Sequence, residues 1–167
     1  MPDVDLSGLR FLIADETPYM RKVLRQLLKA FDITEIVEAQ DGDEAAQTLL
    51  TTQIDFAIVD SGMAPVDGLS FTRHVRTGKG IPNAELPIII LIAHPSVETI
   101  AAARDAGATE LLSKPVSAQQ LFSRIQYSIE NSRDFVKAAD FIGPDRRRRA
   151  GAPPSKEGDR RENSPDA

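Results

Sequence analysis

Short apolar runs alternate with amphipathic stretches through the first 138 residues. Residues 9–14 are apolar apart from Arg10, the pattern of a buried strand. Thr17 then stands where a helix cap is needed, and Pro18 takes the first helical position, where a missing N–H costs nothing. Met20, Val23, Leu24, Leu27, Leu28 and Phe31 recur at spacings of three and four and give this helix one apolar face. Residues 33–38 predict a second strand, Asp41-Gly42 a turn, and residues 43–52 a second helix. A third apolar run, residues 54–59, is closed by Asp60. The loop after it holds Gly62, Pro65 and Asp67-Gly68 and leads to a short helix over 69–77, ending near Gly78 and Gly80. Residues 86–92 are apolar and rich in isoleucine, as a central parallel strand buried on both faces requires. Ser96 can cap a fourth helix that ends at Gly107, residues 110–113 form a fifth strand, and a last helix is predicted over 117–137. Five alternating strand–helix pairs argue for an α/β domain with a doubly wound, five-stranded parallel sheet.

Composition narrows the chemistry. The 167 residues suit one domain with an appendage, and 41% apolar content with only 5% aromatics and no Trp implies a core of Leu, Ile, Val and Ala. The absence of Cys excludes disulfides, thiolate metal sites and thiol catalysis. No apolar stretch approaches the roughly 18–20 residues that span a bilayer. The acidic start, Met1-Pro2-Asp3-Val4-Asp5, lacks the layout of a signal peptide, so a cytoplasmic protein is expected. The net charge of −5 is uneven: residues 1–138 carry 13 Lys/Arg against 19 Asp/Glu, and residues 139–167 carry 7 against 6.

The ends of the apolar runs carry the candidate chemistry. Asp15-Glu16 closes the first, Asp60 the third, and Lys114-Pro115 the fifth. In a parallel sheet these ends share one edge, where ligands bind. Three carboxylates and an ammonium at that edge suit a hard divalent cation such as Mg²⁺, with one carboxylate left as a phosphoryl acceptor. The motifs 11–16 (Phe-Leu-Ile-Ala-Asp-Glu), 38–42 (Glu-Ala-Gln-Asp-Gly), Asp60 with Met63 and Asp67-Gly68, Leu86-Pro87-Ile88, Ala106-Gly107-Ala108 and Lys114-Pro115 follow one another in order. Together they resemble the CheY-like receiver domain of two-component signalling over about residues 9–131.

The resemblance implies a flavodoxin/CheY-like fold and a signalling role rather than an enzyme, beyond self-phosphorylation and dephosphorylation at Asp60. It implies Asp60 as phosphoacceptor, Mg²⁺ held by Asp15, Glu16, Asp60 and the main-chain carbonyl of Gly62, and Lys114 stabilising the phosphoryl charge. It also implies a cis Lys114–Pro115 bond and a phosphoryl donor such as a histidine kinase or phosphotransferase. Three positions depart from the family pattern. Ile92 replaces the Ser or Thr at the end of the fourth strand, Leu111 replaces the coupled aromatic, and Glu16 is a methylene longer than the usual Asp. The usual Thr–Tyr conformational relay is therefore not expected here.

From residue 139 the composition changes. Pro144, Pro153, Pro154, Pro165 and three Gly stand among charges, with almost no large apolar residue after Ile142. Such a segment cannot bury enough surface to fold alone, so the chain divides into an N-terminal segment 1–8, a receiver domain 9–138 and a disordered tail 139–167. The tail holds six Arg against one Lys. The planar arginine fork stacks on rings and pairs with two acceptors, typically the O6/N7 edge of guanine. Asp145 beside Arg146, Arg147, Arg148 and Arg149, together with Arg160 and Arg161, would suit a compact guanine dinucleotide. With a near-neutral tail, sequence-independent DNA binding and a membrane-surface role fit less well, while a bare solvated tail is the plain alternative.

A receiver body with such a tail is similar to the CheY-like cyclic di-GMP effectors of α-proteobacteria. That resemblance implies ligand-dependent ordering of the tail beside the last helix, next to the face of the fourth helix, fifth strand and fifth helix. The implied partner is the flagellar motor switch or the machinery of surface attachment. His94 beside the cleft, and Arg73 with His74 on the third helix, read as bystanders on solvated faces.

Overall fold

The computed structural model describes residues 4–131, 135–138 and 141–144. Five parallel strands stand in the order β2-β1-β3-β4-β5. They are β1 (Arg10–Ala14), β2 (Glu35–Ala39), β3 (Phe56–Asp60), β4 (Ile88–Ile92) and β5 (Glu110–Ser113). The helices between and after them are α1 (Pro18–Ala30), α2 (Gly42–Thr51), α3 (Gly68–Thr77), α4 (Val97–Ala106) and α5 (Ala118–Glu130). This is the expected doubly wound sheet, and its order reverses between β1 and β3, the position where such sheets bind ligands.

The three central strands are buried on both faces, which is why they read as nearly unbroken apolar runs. Leu12, Ala14, Ala57, Val59, Ile88, Ile90 and Ile92 face one way and pack with Leu49 of α2, Phe71 and Val75 of α3 and Ala103 of α4. Phe11, Ile13, Phe56, Ile58, Ile89 and Leu91 face the other and pack with Leu24 and Leu28 of α1 and Leu121 and Ile125 of α5. Phe11 and Phe56 are register partners, and their rings stack at 4.9 Å between centroids.

Caps fix where the helices begin. Asp41 accepts from the N–H groups of Asp43 and Glu44, Asp67 from Ser70, and Ser117 from Gln120. Ser96 and Thr99 form a reciprocal capping box at α4. Thr17 occupies the N-cap of α1, as expected, but its side chain makes no cap bond: the hydroxyl donates to Asp15 Oδ1 at 2.6 Å. Gly107 ends α4 at φ 103°, a left-handed position that glycine takes without strain.

The largest departure lies after α5. The expected helix to residue 137 ends at Glu130, and Phe135–Ala138 is a strand, β6, paired antiparallel with β7 (Phe141–Pro144). The sequence reason lies at Asn131, a poor helix former and the C-cap, followed by a β-branched and aromatic mix that suits pairing. Residues 141–144 are thus structured although they fall in the segment expected to be disordered. β7 lies beside α4 and α3.

Candidate functional site

The site forms where the carboxyl ends of β1, β3 and β5 meet. Asp60 ends β3, and Asp15 follows β1 directly. Both are buried, and Lys114, just after β5, reaches both: its Nζ lies 2.6 Å from Asp60 Oδ1 and 3.1 Å from Asp15 Oδ2. Burial opposes the charge on Lys114, but the hydrogen bonds to Asp60 and Asp15 and their negative charges outweigh it and raise its pKa above the ordinary 10.5. The Lys114–Pro115 bond is cis, as expected, and so is Ala64–Pro65.

The remaining oxygens of the two aspartates are also engaged. Asp60 Oδ2 accepts from the Gly62 N–H at 3.1 Å. Asp15 Oδ1 accepts from the N–H of Thr17 at 2.9 Å and from its hydroxyl. Glu16 points across to the next loop, where Oε1 accepts from the Ala64 N–H at 3.1 Å. Of the expected residues the structure gathers Asp15, Asp60 and Lys114, with Gly62 at the rim and Glu16 bound to the β3–α3 loop. Among the described residues no three His, Cys, Asp or Glu side chains form a group that could hold a metal ion. The donor chemistry still fits a hard cation, because two buried carboxylates already share one positive group and two further oxygen-bearing residues sit in the flanking loops.

Close packing holds Asp60 in place. A Cβ on Gly68, the first residue of α3, would stand 2.2 Å from the Asp60 carbonyl oxygen, so only glycine lets α3 start against the end of β3. Ile92, at the end of β4, packs in one apolar cluster with Ile100 and Leu111. Neither Ile92 nor Leu111 carries a hydroxyl. Arg73 and His74 are exposed, as expected, and His94 is exposed as well. Asp145, Arg146, Arg147, Arg148, Arg149, Arg160 and Arg161 lie outside the described residues.

The sequence reading missed two arginines. Arg21 of α1 donates to the Asp15 carbonyl, and Arg76 of α3 is buried against the carbonyls of Gly107, Ala84 and Leu86 and the Thr109 hydroxyl. Burial draws the Arg76 guanidinium down to about 9, against the opposing charge of Glu85. An arginine at a helical position next to apolar residues reads as a solvated charge, and only tertiary contacts reveal otherwise.

A profile of the response regulator receiver domain matches residues 11–126. The chain belongs to the response regulator receiver family. It is 33% identical over 118 residues to the response regulator MprA of Mycolicibacterium vanbaalenii, an alignment covering 71% of this chain and 49% of that protein. The chain thus matches about half the length of that relative. Among solved structures it is similar to a response regulator receiver protein from Pseudomonas putida, at 28% identity and TM-score 0.64, covering 71% of this chain and 95% of the other. It shares its fold with the receiver domain of a sensor histidine kinase from Pseudomonas aeruginosa, at 24% identity and TM-score 0.67, covering 74% and 99%. That structure has a magnesium ion coordinated in its active-site cleft. Among the described residues no helix is long and apolar enough to cross a membrane.

Proposed function

We propose that this receiver accepts a phosphoryl group on Asp60 from a histidine kinase or phosphotransferase and passes the signal on by binding a partner protein. The observation that carries this reading is the 2.6 Å approach of Lys114 Nζ to Asp60 Oδ1 at the topological switch point of the sheet. A carboxylate oxygen of Asp60 would attack phosphorus in line, the bond to the donor nitrogen or oxygen would break, and the leaving group would keep the electron pair. Lys114 would offset the charge gathering on the phosphoryl oxygens. Asp15, Glu16, Asp60 and the Gly62 carbonyl are the residues that would hold Mg²⁺, which supplies charge neutralisation at the phosphoryl oxygens when bound. Exposure to acetyl phosphate and Mg²⁺, read by intact mass, tests the reading. One added phosphoryl group that is lost in Asp60→Asn supports it.

A second reading concerns the tail, and the observation favouring it is the run Arg146 to Arg149 next to Asp145. Under it the tail binds cyclic di-GMP and thereby presents or hides the face toward a partner such as the flagellar motor switch. The identities of Ile92 and Leu111 support an input of this kind, since neither side chain has a hydroxyl with which to read phosphorylation. Calorimetric titration of cyclic di-GMP into the full chain, and into a full chain with Arg146 to Arg149 changed to Ala, tests it. Micromolar binding confined to the wild type is expected, and no heat with either leaves the tail a solvated extension.

A further inference from the structure

The loop carrying Asp15 and Glu16 is held by a side chain of α1. Asp15 is held at each of its polar groups. Its N–H donates to the Ala39 carbonyl at 3.1 Å, Oδ1 accepts from Thr17, and Oδ2 meets Lys114. Its carbonyl oxygen accepts from Arg21 Nη1 at 2.6 Å. Arg21 lies near the start of α1, and its Nε donates to Glu38 Oε1 at 3.0 Å. The other oxygen of Glu38 pairs with Arg25, one turn further along α1. Glu38 is the penultimate residue of β2, the strand that registers beside β1 (Ile13 opposite Glu38).

A guanidinium is a rigid plane, so pinning Nε on Glu38 also aims Nη1. The carbonyl it holds belongs to the Asp15–Glu16 peptide, which is itself planar. Fixing that oxygen fixes the orientation of the whole unit. The unit sets where the Glu16 side chain leaves the backbone, and Glu16 in turn bonds Ala64 in the loop that holds Gly62. Both loops are thereby joined to one arginine of α1.

We propose that Arg21, oriented by Glu38, is a positioning residue that sets the plane of the Asp15–Glu16 peptide and so the aim of the acidic cleft. This rests on the reading of Asp60 as phosphoacceptor. The competing account is that Arg21 and Glu38 are an ion pair that only fastens α1 to β2. Lysine separates the two. It keeps the charge and leaves the field in the cleft nearly unchanged, but its single ammonium cannot serve both acceptors in fixed geometry.

The experiment uses full-length Arg21→Lys and Glu38→Gln, with Arg10→Gln as control. Arg10 pairs with Glu35 at the other end of the same two strands. Three quantities are measured besides Tm: the position of the Glu16 backbone amide resonance, the Mg²⁺ dissociation constant followed through the Gly62 amide, and the rate of phosphoryl uptake from acetyl phosphate. In Arg21→Lys the Glu16 amide moves before any Mg²⁺ is added, the dissociation constant rises about tenfold, and uptake slows about tenfold. Glu38→Gln moves all three the same way by less, and Arg10→Gln moves none. Variants that lower Tm while leaving the Glu16 amide, the Mg²⁺ constant and the rate at wild-type values overturn the proposal. Should Arg21→Lys fail to fold, Glu38→Gln decides by the same criteria. A wild type that takes up no phosphoryl group sinks the phosphoacceptor reading instead, and the amide position and Mg²⁺ constant still judge Arg21.

Discussion

Lys114 is the residue on which the cleft balances. Two buried aspartates sharing one ammonium are stable only while that ammonium keeps its charge. Its pKa is raised on folding, so the stabilisation it gives is fully present below the unfolded value of about 10.5 and is lost as pH rises through the higher folded value. The stability advantage of the wild type over Lys114→Met, taken from denaturant midpoints at a series of alkaline pH values, is therefore expected to narrow above pH ~10.5. Tyrosine ionisation cancels in that difference. An advantage that stays constant into strong alkali would mean the ion pairs contribute nothing to the fold.

At the scale of elements, the start of α3 decides where Asp60 sits. Asp67 caps the helix and Gly68 lets it press against the Asp60 carbonyl. Gly68→Ala must push back either β3 or α3, because the atom in the way is backbone. The expected cost is about 1–3 kcal/mol of stability, seen as a lower midpoint in urea, together with a displaced Gly62 amide resonance. A neutral Gly68→Ala would show that α3 is not packed against the end of β3. Arg76 plays a comparable part at the opposite edge, where it ties α3 to the entry of β4 and to the α4–β5 turn. Replacing it by Met leaves the carbonyls of Gly107 and Leu86 without that donor, and a loss of at least about 2 kcal/mol is expected in the same urea assay. A change within about 0.5 kcal/mol would count against this tie.

At the scale of the whole molecule, the three central strands were legible because burial on both faces leaves nearly unbroken apolar runs, and the edge strand β5 was found to the residue. The acidic cleft was legible because parallel strands deliver their ends to one edge, so Asp15, Asp60 and Lys114 could be placed together without knowing any distance. Other features could not be read this way. Thr17 sits at the cap position, but its side chain is turned to donate to Asp15 rather than to accept from the helix, an orientation only the folded loop reveals. Arg21 and Glu38 are 17 residues apart, and their pairing depends on the register of β2 beside β1. The β6–β7 hairpin was hidden because residues 131–144 mix helix-compatible charge with aromatic and β-branched residues, and pairing rather than propensity settles such segments.

Asp60 is the proposed phosphoryl acceptor, and intact mass after exposure to acetyl phosphate and Mg²⁺ tests that role most directly. The predicted result is one added phosphoryl group on the wild type, none on Asp60→Asn, and greatly reduced uptake on Lys114→Met. An unmodified wild type beside a competent receiver treated in parallel, or equal uptake by Asp60→Asn, would contradict it.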